Sequence, residues 1–186
     1  MKNYRIFVEK RPGFRVEAES LQHDLNENLG LHLSQLRLLN VYDLFGFTPE
    51  LLEASRYRVF GEVQTDEVTD ACDLEGRKFL AVEYLPGQFD QRAASAVDCV
   101  RLIDPEAEVR IRSSRLLLLD AATTDEELAR VRKYYINAVE SREKDLGRLC
   151  DMEQAGIRRG RIILDPGFGF AKTAAQNFEL LAGLHR

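Results

Sequence analysis

Apolar and polar residues alternate along the start of the chain and then change to helical spacing. Tyr4, Ile6 and Val8 have the two-residue period of a strand, and the apolar residues that follow recur every three or four positions until Gly30. A second apolar strand follows over residues 36–42. The first part of the sequence therefore predicts a strand, a helix and another strand.

The same pattern occurs again later in the chain. The motif Val-Glu-x-x-Pro-Gly stands at residues 8–13 and at residues 82–87, and Pro-Gly ends the preceding strand each time. The second helix ends at Asp104, because a residue that precedes proline disfavours helical geometry. Alternating and then strongly apolar residues predict a strand over 109–119. Two matched copies indicate an internal duplication.

Further signals complete the predicted fold. Thr48 followed by proline predicts a helix start, and Thr124 with glutamate three residues later matches a capping box. Residues 58–64 predict another strand, and the acidic, turn-rich residues 66–76 predict the joint between the copies. We therefore expect an α+β fold, in which duplicated ferredoxin-like strand–helix–strand units pack their helices on one face of an antiparallel or mixed sheet.

Composition and charge narrow the possible partners. Of the 186 residues, 45% are hydrophobic and 31% are charged, as in an ordinary globular protein. The net charge of −5 gives no global positive field, so we expect neither nucleic acid nor a membrane as a partner. Cys72, Cys99 and Cys150 form no CxxC pair, and free thiols are expected. With no signal peptide or membrane helix in the pattern, the predicted location is cytoplasmic.

Three segments together resemble a known family. Residues 4–14, 83–92 and 135–143 resemble, in this order, the N-terminal domain of large phosphoribosylformylglycinamidine synthases, although proline is common in that family where this chain has Ala138. That family makes an amidine of purine biosynthesis from ATP and glutamine-derived ammonia. Its N-terminal domain resembles a fused dimer of the small PurS protein, so the resemblance implies a PurS-like domain over residues 1–150, with repeats at about 1–70 and 77–150.

The same resemblance implies a function without catalysis. The domain would be a non-catalytic part of the ligase, in de novo purine biosynthesis, that bridges the synthetase and glutaminase units, which would be its partners. ATP and magnesium belong to the family's synthetase domain, so we expect no cofactor in this chain and no activity of the chain alone. The residues themselves offer no catalytic set, and no histidine pair has metal-ligand spacing.

One polar cluster stands at the predicted start of the second helix. It consists of Gln88, Asp90, Gln91 and Arg92. Helix capping explains Asp90 most simply, because aspartate is a favoured cap residue. A partner-binding edge formed by all four residues is the alternative hypothesis.

The C-terminal segment has a different character. A buried-type strand at 161–164 is followed by the loop Asp-Pro-Gly-Phe-Gly-Phe-Ala-Lys at 165–172 and an amphipathic helix. The loop lacks the glycine before lysine that a P-loop requires. It resembles the pterin-binding loop of dihydropteroate synthase, with Ala171 in place of a glycine. That resemblance implies that Asp165 hydrogen-bonds the pterin ring and that Phe170 lines the aminobenzoate side of the pocket.

A barrel of the kind that carries such a loop needs eight strand–helix units and ~250 residues. We therefore expect residues 151–186 to be a dihydropteroate-synthase-like fragment without a complete pocket, joined to the first domain by a fusion, a deletion or an artefact. The leading hypothesis is the purine assembly domain. The alternatives are a dihydropteroate synthase fragment of folate biosynthesis, and a regulatory sensor that binds a small molecule between the copies.

Overall fold

The structure is a computed structural model that describes residues 3–147 apart from residue 75, all within one compact unit that spans Met1–Leu149. The described part of this unit contains four α-helices and six strands, and a short π-helical turn, Arg56–Phe60, extends the second helix. The sixth strand is only three residues long. The elements are β1 (Tyr4–Lys10), α1 (Val16–Leu29), β2 (Arg37–Phe45), α2 (Pro49–Ser55), β3 (Asp66–Thr69), β4 (Phe79–Tyr84), α3 (Gln91–Ile103), β5 (Arg110–Leu118), α4 (Asp125–Tyr135) and β6 (Ser141–Glu143).

The strands form one six-stranded sheet in the order β3-β1-β2-β5-β4-β6, and every neighbouring pair is antiparallel. At the centre, Asn40 of β2 lies opposite Arg115 of β5. On either side of that pair, Val8 of β1 lies opposite Asn40, and Val82 of β4 lies opposite Arg115. The chain is therefore an α+β protein whose element order recurs on both sides of the central pair. A duplicated ferredoxin-like origin for this recurrence stays a prediction.

All four helices pack on one face of the sheet, in two pairs. An apolar cluster around Leu44 and Val100 joins α2 and α3 to β1, β2, β3 and β5. A second cluster around Leu25, Leu117 and Val131 joins α1 and α4 to β2, β4 and β5. Burial of a side chain of this size contributes about 1.5–3 kcal/mol, so these clusters dominate the stability of the unit. Each cluster therefore contains residues from both the first and the second stretch of the sequence.

The opposite face of the sheet is apolar at its centre and charged at one end. Phe7, Val41 and Leu116 are buried there, because alternate residues of each strand point to this face. At the charged end the Asp43 carboxylate and the Lys144 ammonium are both buried, and Lys144 Nζ lies 2.6 Å from Asp43 Oδ2. This ion pair fixes the segment after β6 to the central strand β2.

Most of the predicted element boundaries are confirmed. Gly30 ends α1 in the left-handed conformation, with φ of 61°. The Thr48 side chain caps α2, and Thr124 and Glu127 form the predicted capping box of α4. Helix α3 ends at Ile103, as the following Asp-Pro predicts. Local turn and capping chemistry therefore located these ends correctly.

Two local predictions are wrong. Residues 58–64 do not form a strand, because the chain from Arg56 to Phe60 is a π-helical turn. The reason is tertiary packing: the Phe60 ring is inserted against Tyr42 and Phe47, with ring centroids 5.0 and 6.2 Å apart. The predicted joint at 66–76 begins instead with β3, an edge strand that pairs with β1.

Two of the three cysteines lie among the described residues, 3–74 and 76–147. Cys72 and Cys99 form no disulfide bond within this part of the chain. No helix in this part of the chain combines the length and the hydropathy needed to span a bilayer. The cytoplasmic location itself stays a prediction.

Candidate functional site

Polar residues collect on the helical face of the sheet, around the central Asn40–Arg115 pair. Glu17 comes from α1, Arg92 from α3 and Tyr135 from the end of α4. We call these five residues the polar seam. Arg92 and Arg115 line two cavities, of about 310 Å³ and about 210 Å³, so the cavities are neighbours at the seam.

An ion pair holds the centre of the seam. An Arg115 Nη donates to Glu17 Oε1 at 2.7 Å, and the arginine side chain is 27% exposed. The hydrogen bond from Arg115 lowers the pKa of Glu17, and the Arg92 charge acts in the same direction. Burial alone would lower the pKa of Arg115, but the bond to Glu17 holds it above its ordinary value. Both groups are therefore charged at neutral pH.

Tyr135 borders the same ion pair. Burial raises the pKa of its phenol, and the negative charge of Glu17 adds to this effect, whereas the Arg115 charge opposes it. The phenol therefore keeps its proton at neutral pH. It can donate one hydrogen bond and accept others.

The larger cavity, which we call the seam cavity, lies between β4, β5, the start of α3 and the segment after α4. Basic, aromatic, hydroxyl and amide groups share its lining, with one apolar residue at its base. By strand alternation, the side chains of Glu83 and Ser114 point to the opposite face, so these two residues contribute backbone. The lining residues are Val82, Glu83, Tyr84, Arg92, Ser113, Ser114, Arg115, Tyr135, Asn137, Glu140 and Ser141.

The smaller cavity contains an unsatisfied acceptor. Asn40 Oδ1 is buried and has no hydrogen-bond partner among the described residues. Glu9, which also lines this cavity, is bound by Arg37 at 2.7 Å and by Arg15 at 3.2 Å. Its carboxylate is therefore neutralised within the protein, in contrast to the Asn40 oxygen.

Asp90 has a structural role at the start of α3. Its side chain accepts from the backbone N–H of Ala93 at 2.9 Å, which caps the helix. Both its carboxylate oxygens also accept from Ser113, one from the backbone N–H and one from the hydroxyl, each at 2.8 Å. Capping is thus confirmed for Asp90, which in addition ties α3 to β5.

The other members of the predicted polar cluster separate in the structure. The Gln88 side chain donates to the backbone oxygen of Val139 at 3.3 Å. Gln91 lies beside a shallow groove next to α3, and Arg92 reaches the seam. Their role as a partner-binding edge stays a prediction.

The two predicted pterin-loop residues, Asp165 and Phe170, lie outside the described residues. Within the described part of the chain, no group of histidine, cysteine and acidic side chains could hold a metal ion.

Sequence reasoning did not predict that Glu17, Arg115 and Tyr135 lie together at one site. One signal was present: Arg115 occupies a position of β5 that shares a face with the buried Leu117. A charged residue on the strand face that packs under the helices indicates a buried ion pair or a ligand site. The partner Glu17 could not be identified from the sequence, because it lies 98 residues away.

Comparison with known proteins relates the C-terminal half of the chain to one class. Residues 107–186 match the family model described as pterin binding enzyme. The dihydropteroate synthase of Escherichia coli (strain K12) is 31% identical over 80 residues, which are 43% of this chain and 25% of that protein.

Shorter matches have higher identity. Dihydropteroate synthase of Streptococcus pyogenes serotype M6 is 59% identical over 32 residues, which are 17% of this chain and 12% of that protein. The folic acid synthesis protein fol1 of Schizosaccharomyces pombe is 62% identical over 32 residues, which are 17% of this chain and 4% of that protein. The chain spans a quarter or less of the length of these relatives.

These findings correct the leading hypothesis. The matched family and the relatives named above belong to pterin and folate chemistry, so the prediction of a purine-pathway assembly domain of phosphoribosylformylglycinamidine synthase is wrong. The predicted likeness of the C-terminal segment to dihydropteroate synthase is supported. The predicted partners and the absence of a cofactor stay predictions, because no finding tests them.

The match begins much earlier than the sequence motif indicated. It includes residues 107–147, which contain β5, α4 and β6. In the structure β5 pairs antiparallel with both its neighbours, whereas the strands of a (β/α)₈ barrel are parallel. The first half of the matched region therefore belongs to the six-stranded sheet.

Proposed function

We propose that this chain is a pterin-binding protein related to dihydropteroate synthases, with a role in folate biosynthesis. The observation that carries the proposal is the match of residues 107–186 to the pterin binding enzyme family. The identity of about 60% over short stretches of two further relatives supports it. The proposal concerns binding, because the chain spans only a quarter of the Escherichia coli enzyme.

The loop at 165–172 offers suitable chemistry for a pterin. A pterin ring presents neighbouring N–H donors on its pyrimidine edge, and an ionised carboxylate accepts two such bonds at once. Hydrogen bonds to a charged group contribute about 1.5–3 kcal/mol, more than neutral ones. We assign this role to Asp165. Phe170 would provide an aromatic wall beside it.

Isothermal titration of the full chain with a pterin pyrophosphate tests the proposal. We expect saturable binding that Asp165→Asn weakens about 10- to 100-fold, because the variant loses a charge-assisted contact. The control is Asp98→Asn, which removes the same charge from an exposed position on α3 and should leave the affinity unchanged. Absence of binding at millimolar ligand, or equal affinity of the two variants, would refute the proposal.

A further inference from the structure

We propose that the seam cavity binds a small organic anion, whose carboxylate or phosphate group is held by Arg92 and Arg115. The residues of this cavity all belong to the described unit, and the inference goes beyond the proposed function. The ligand class follows from the hydrogen-bond donors that the seam leaves unused. The size of the cavity and its aromatic wall then limit what else the ligand can carry.

The two guanidinium groups have most of their donors available. A guanidinium carries five N–H donors in a planar fork that matches carboxylate and phosphate oxygens. Arg115 donates a hydrogen bond from one of its two Nη atoms to Glu17. Arg92 is exposed, and within residues 3–74 and 76–147 it makes no hydrogen bond or salt bridge. An anion between the two arginines would therefore satisfy donors that the protein itself does not.

Glu17 offsets the charge of Arg115, whereas the charge of Arg92 has no carboxylate bound to it among the described residues. Glu83 faces the opposite side of the sheet, where Arg142 lies 2.8 Å and Lys144 3.4 Å from its oxygens. Glu17 is already paired with Arg115, and its side chain is 67% exposed. The remaining carboxylate, Glu140, is exposed at the rim. The interior of the cavity thus favours a negative group.

The other lining residues could contact the organic part of the ligand, beside its carboxylate or phosphate group. Tyr84 and Tyr135 supply aromatic surface, and the buried Val82 supplies an apolar base. Ser141 and Asn137 add groups that can donate and accept. At about 310 Å³ the cavity is at the lower end of the range for small-molecule sites, so the ligand would have roughly the size of an amino acid or a small phosphate ester.

The test uses the full chain with inorganic phosphate, inorganic pyrophosphate and succinate as separate probes, each at constant ionic strength with chloride as the reference. NMR spectra of the arginine Nε–Hε groups report the site directly. We expect saturable shifts of the Arg92 and Arg115 signals with at least one probe. Response to the phosphates alone indicates a phosphorylated ligand, and response to succinate alone indicates a carboxylate. If neither signal moves in a saturable way, the inference is wrong.

A pair of variants on the same helix separates the site from general charge effects. Arg92→Gln should weaken probe binding about tenfold or more, since it removes one of two charged donors. Arg101→Gln removes the same charge from an exposed position of α3 and should not change the affinity. Both side chains are exposed, so both variants should keep the melting temperature of the parent chain without ligand. Equal probe affinities in the two variants would overturn the inference.

A third variant separates this inference from the proposed function. Asp165→Asn should leave binding of the anion probe unchanged while it weakens binding of the pterin pyrophosphate. If Asp165→Asn and Arg92→Gln weakened binding of the phosphate probe equally, there would be no distinct seam site. Failure of pterin binding alone would leave the anion result standing.

Discussion

The buried pair Asp43–Lys144 should make the described unit sensitive to the loss of either charge, and replacement of Asp43 by asparagine measures that sensitivity. Both side chains are about 5% exposed, with 2.6 Å between Nζ and Oδ2. Arg5 Nε binds the other carboxylate oxygen at 2.5 Å. At that separation and an effective dielectric constant of about 20, the Coulomb attraction to Lys144 is about 6 kcal/mol, and desolvation offsets much of it.

The net cost of Asp43→Asn follows from what the change leaves behind. Removal of one partner of a buried pair costs about 3–5 kcal/mol, because the other charge stays buried. Lys144 retains Glu83 at 3.4 Å as a weaker partner, which places the expected cost near the lower end, at about 3 kcal/mol. For a unit of this size, such a loss lowers Tm by roughly 6–12 °C.

Chemical denaturation and thermal unfolding, followed by circular dichroism, provide the assay. The control is Asp98→Asn, which breaks a solvent-exposed contact with Arg101 at 3.6 Å and should change the free energy of unfolding by less than about 0.5 kcal/mol. The double variant Asp43→Asn/Lys144→Met should be more stable than the sum of the single effects predicts, by about 1 kcal/mol or more. A cost for Asp43→Asn no greater than for Asp98→Asn would refute the reasoning.

Three further changes should alter stability in distinct ways. Asp90→Ala removes the α3 cap and two hydrogen bonds to β5, and thermal unfolding should show a loss of about 2–4 kcal/mol in the free energy of unfolding. A loss within the error of the measurement would contradict the assigned role of Asp90. Gly46→Ala should lower the free energy of unfolding in denaturant by at least about 2 kcal/mol, because φ is 80° and an added Cβ would lie 2.5 Å from a backbone oxygen. A variant as stable as the parent chain would show that the turn can shift. Burial opposes the ionisation of Asp66, but hydrogen bonds from the Glu62 backbone and from Lys10 lower its pKa. The stabilisation by ionised Asp66 should be complete above the ordinary aspartate pKa of about 3.9 and be lost as pH falls through the lower folded-state pKa. Asp66→Asn should therefore reduce the fall in Tm between about pH 6 and about pH 3. If the fall in Tm is unchanged in this variant, the Asp66 carboxylate is not a cause of it.

Local signals in the sequence predicted the helices well, because caps and stops act within a few residues. The Thr124 capping box and the stop at Asp104 are of this kind, and both are confirmed. The edge strand β3 could not be found in this way. It is held by pairing with β1, about 60 residues earlier in the chain, and its own sequence is acidic and turn-like. Phe60 is similar, since its position depends on Tyr42 rather than on its own neighbours.

The candidate site was only partly predictable. The cluster at residues 88–92 was identified from its polarity, but the sequence did not show that Arg92 lies near Arg115 and Glu17. These contacts join three elements that are far apart in sequence. The functional prediction is wrong because the resemblance of residues 1–150 indicates purine biosynthesis, whereas the match over 107–186 indicates pterin chemistry.

The shared apolar clusters have a consequence for how the described unit unfolds. Each cluster contains residues from both the first and the second stretch of sequence, so loss of either stretch exposes apolar residues of both clusters. Amide hydrogens in both central strands should therefore exchange by the same global opening. A ligand that stabilised one cavity would slow exchange across the whole sheet, not only beside itself.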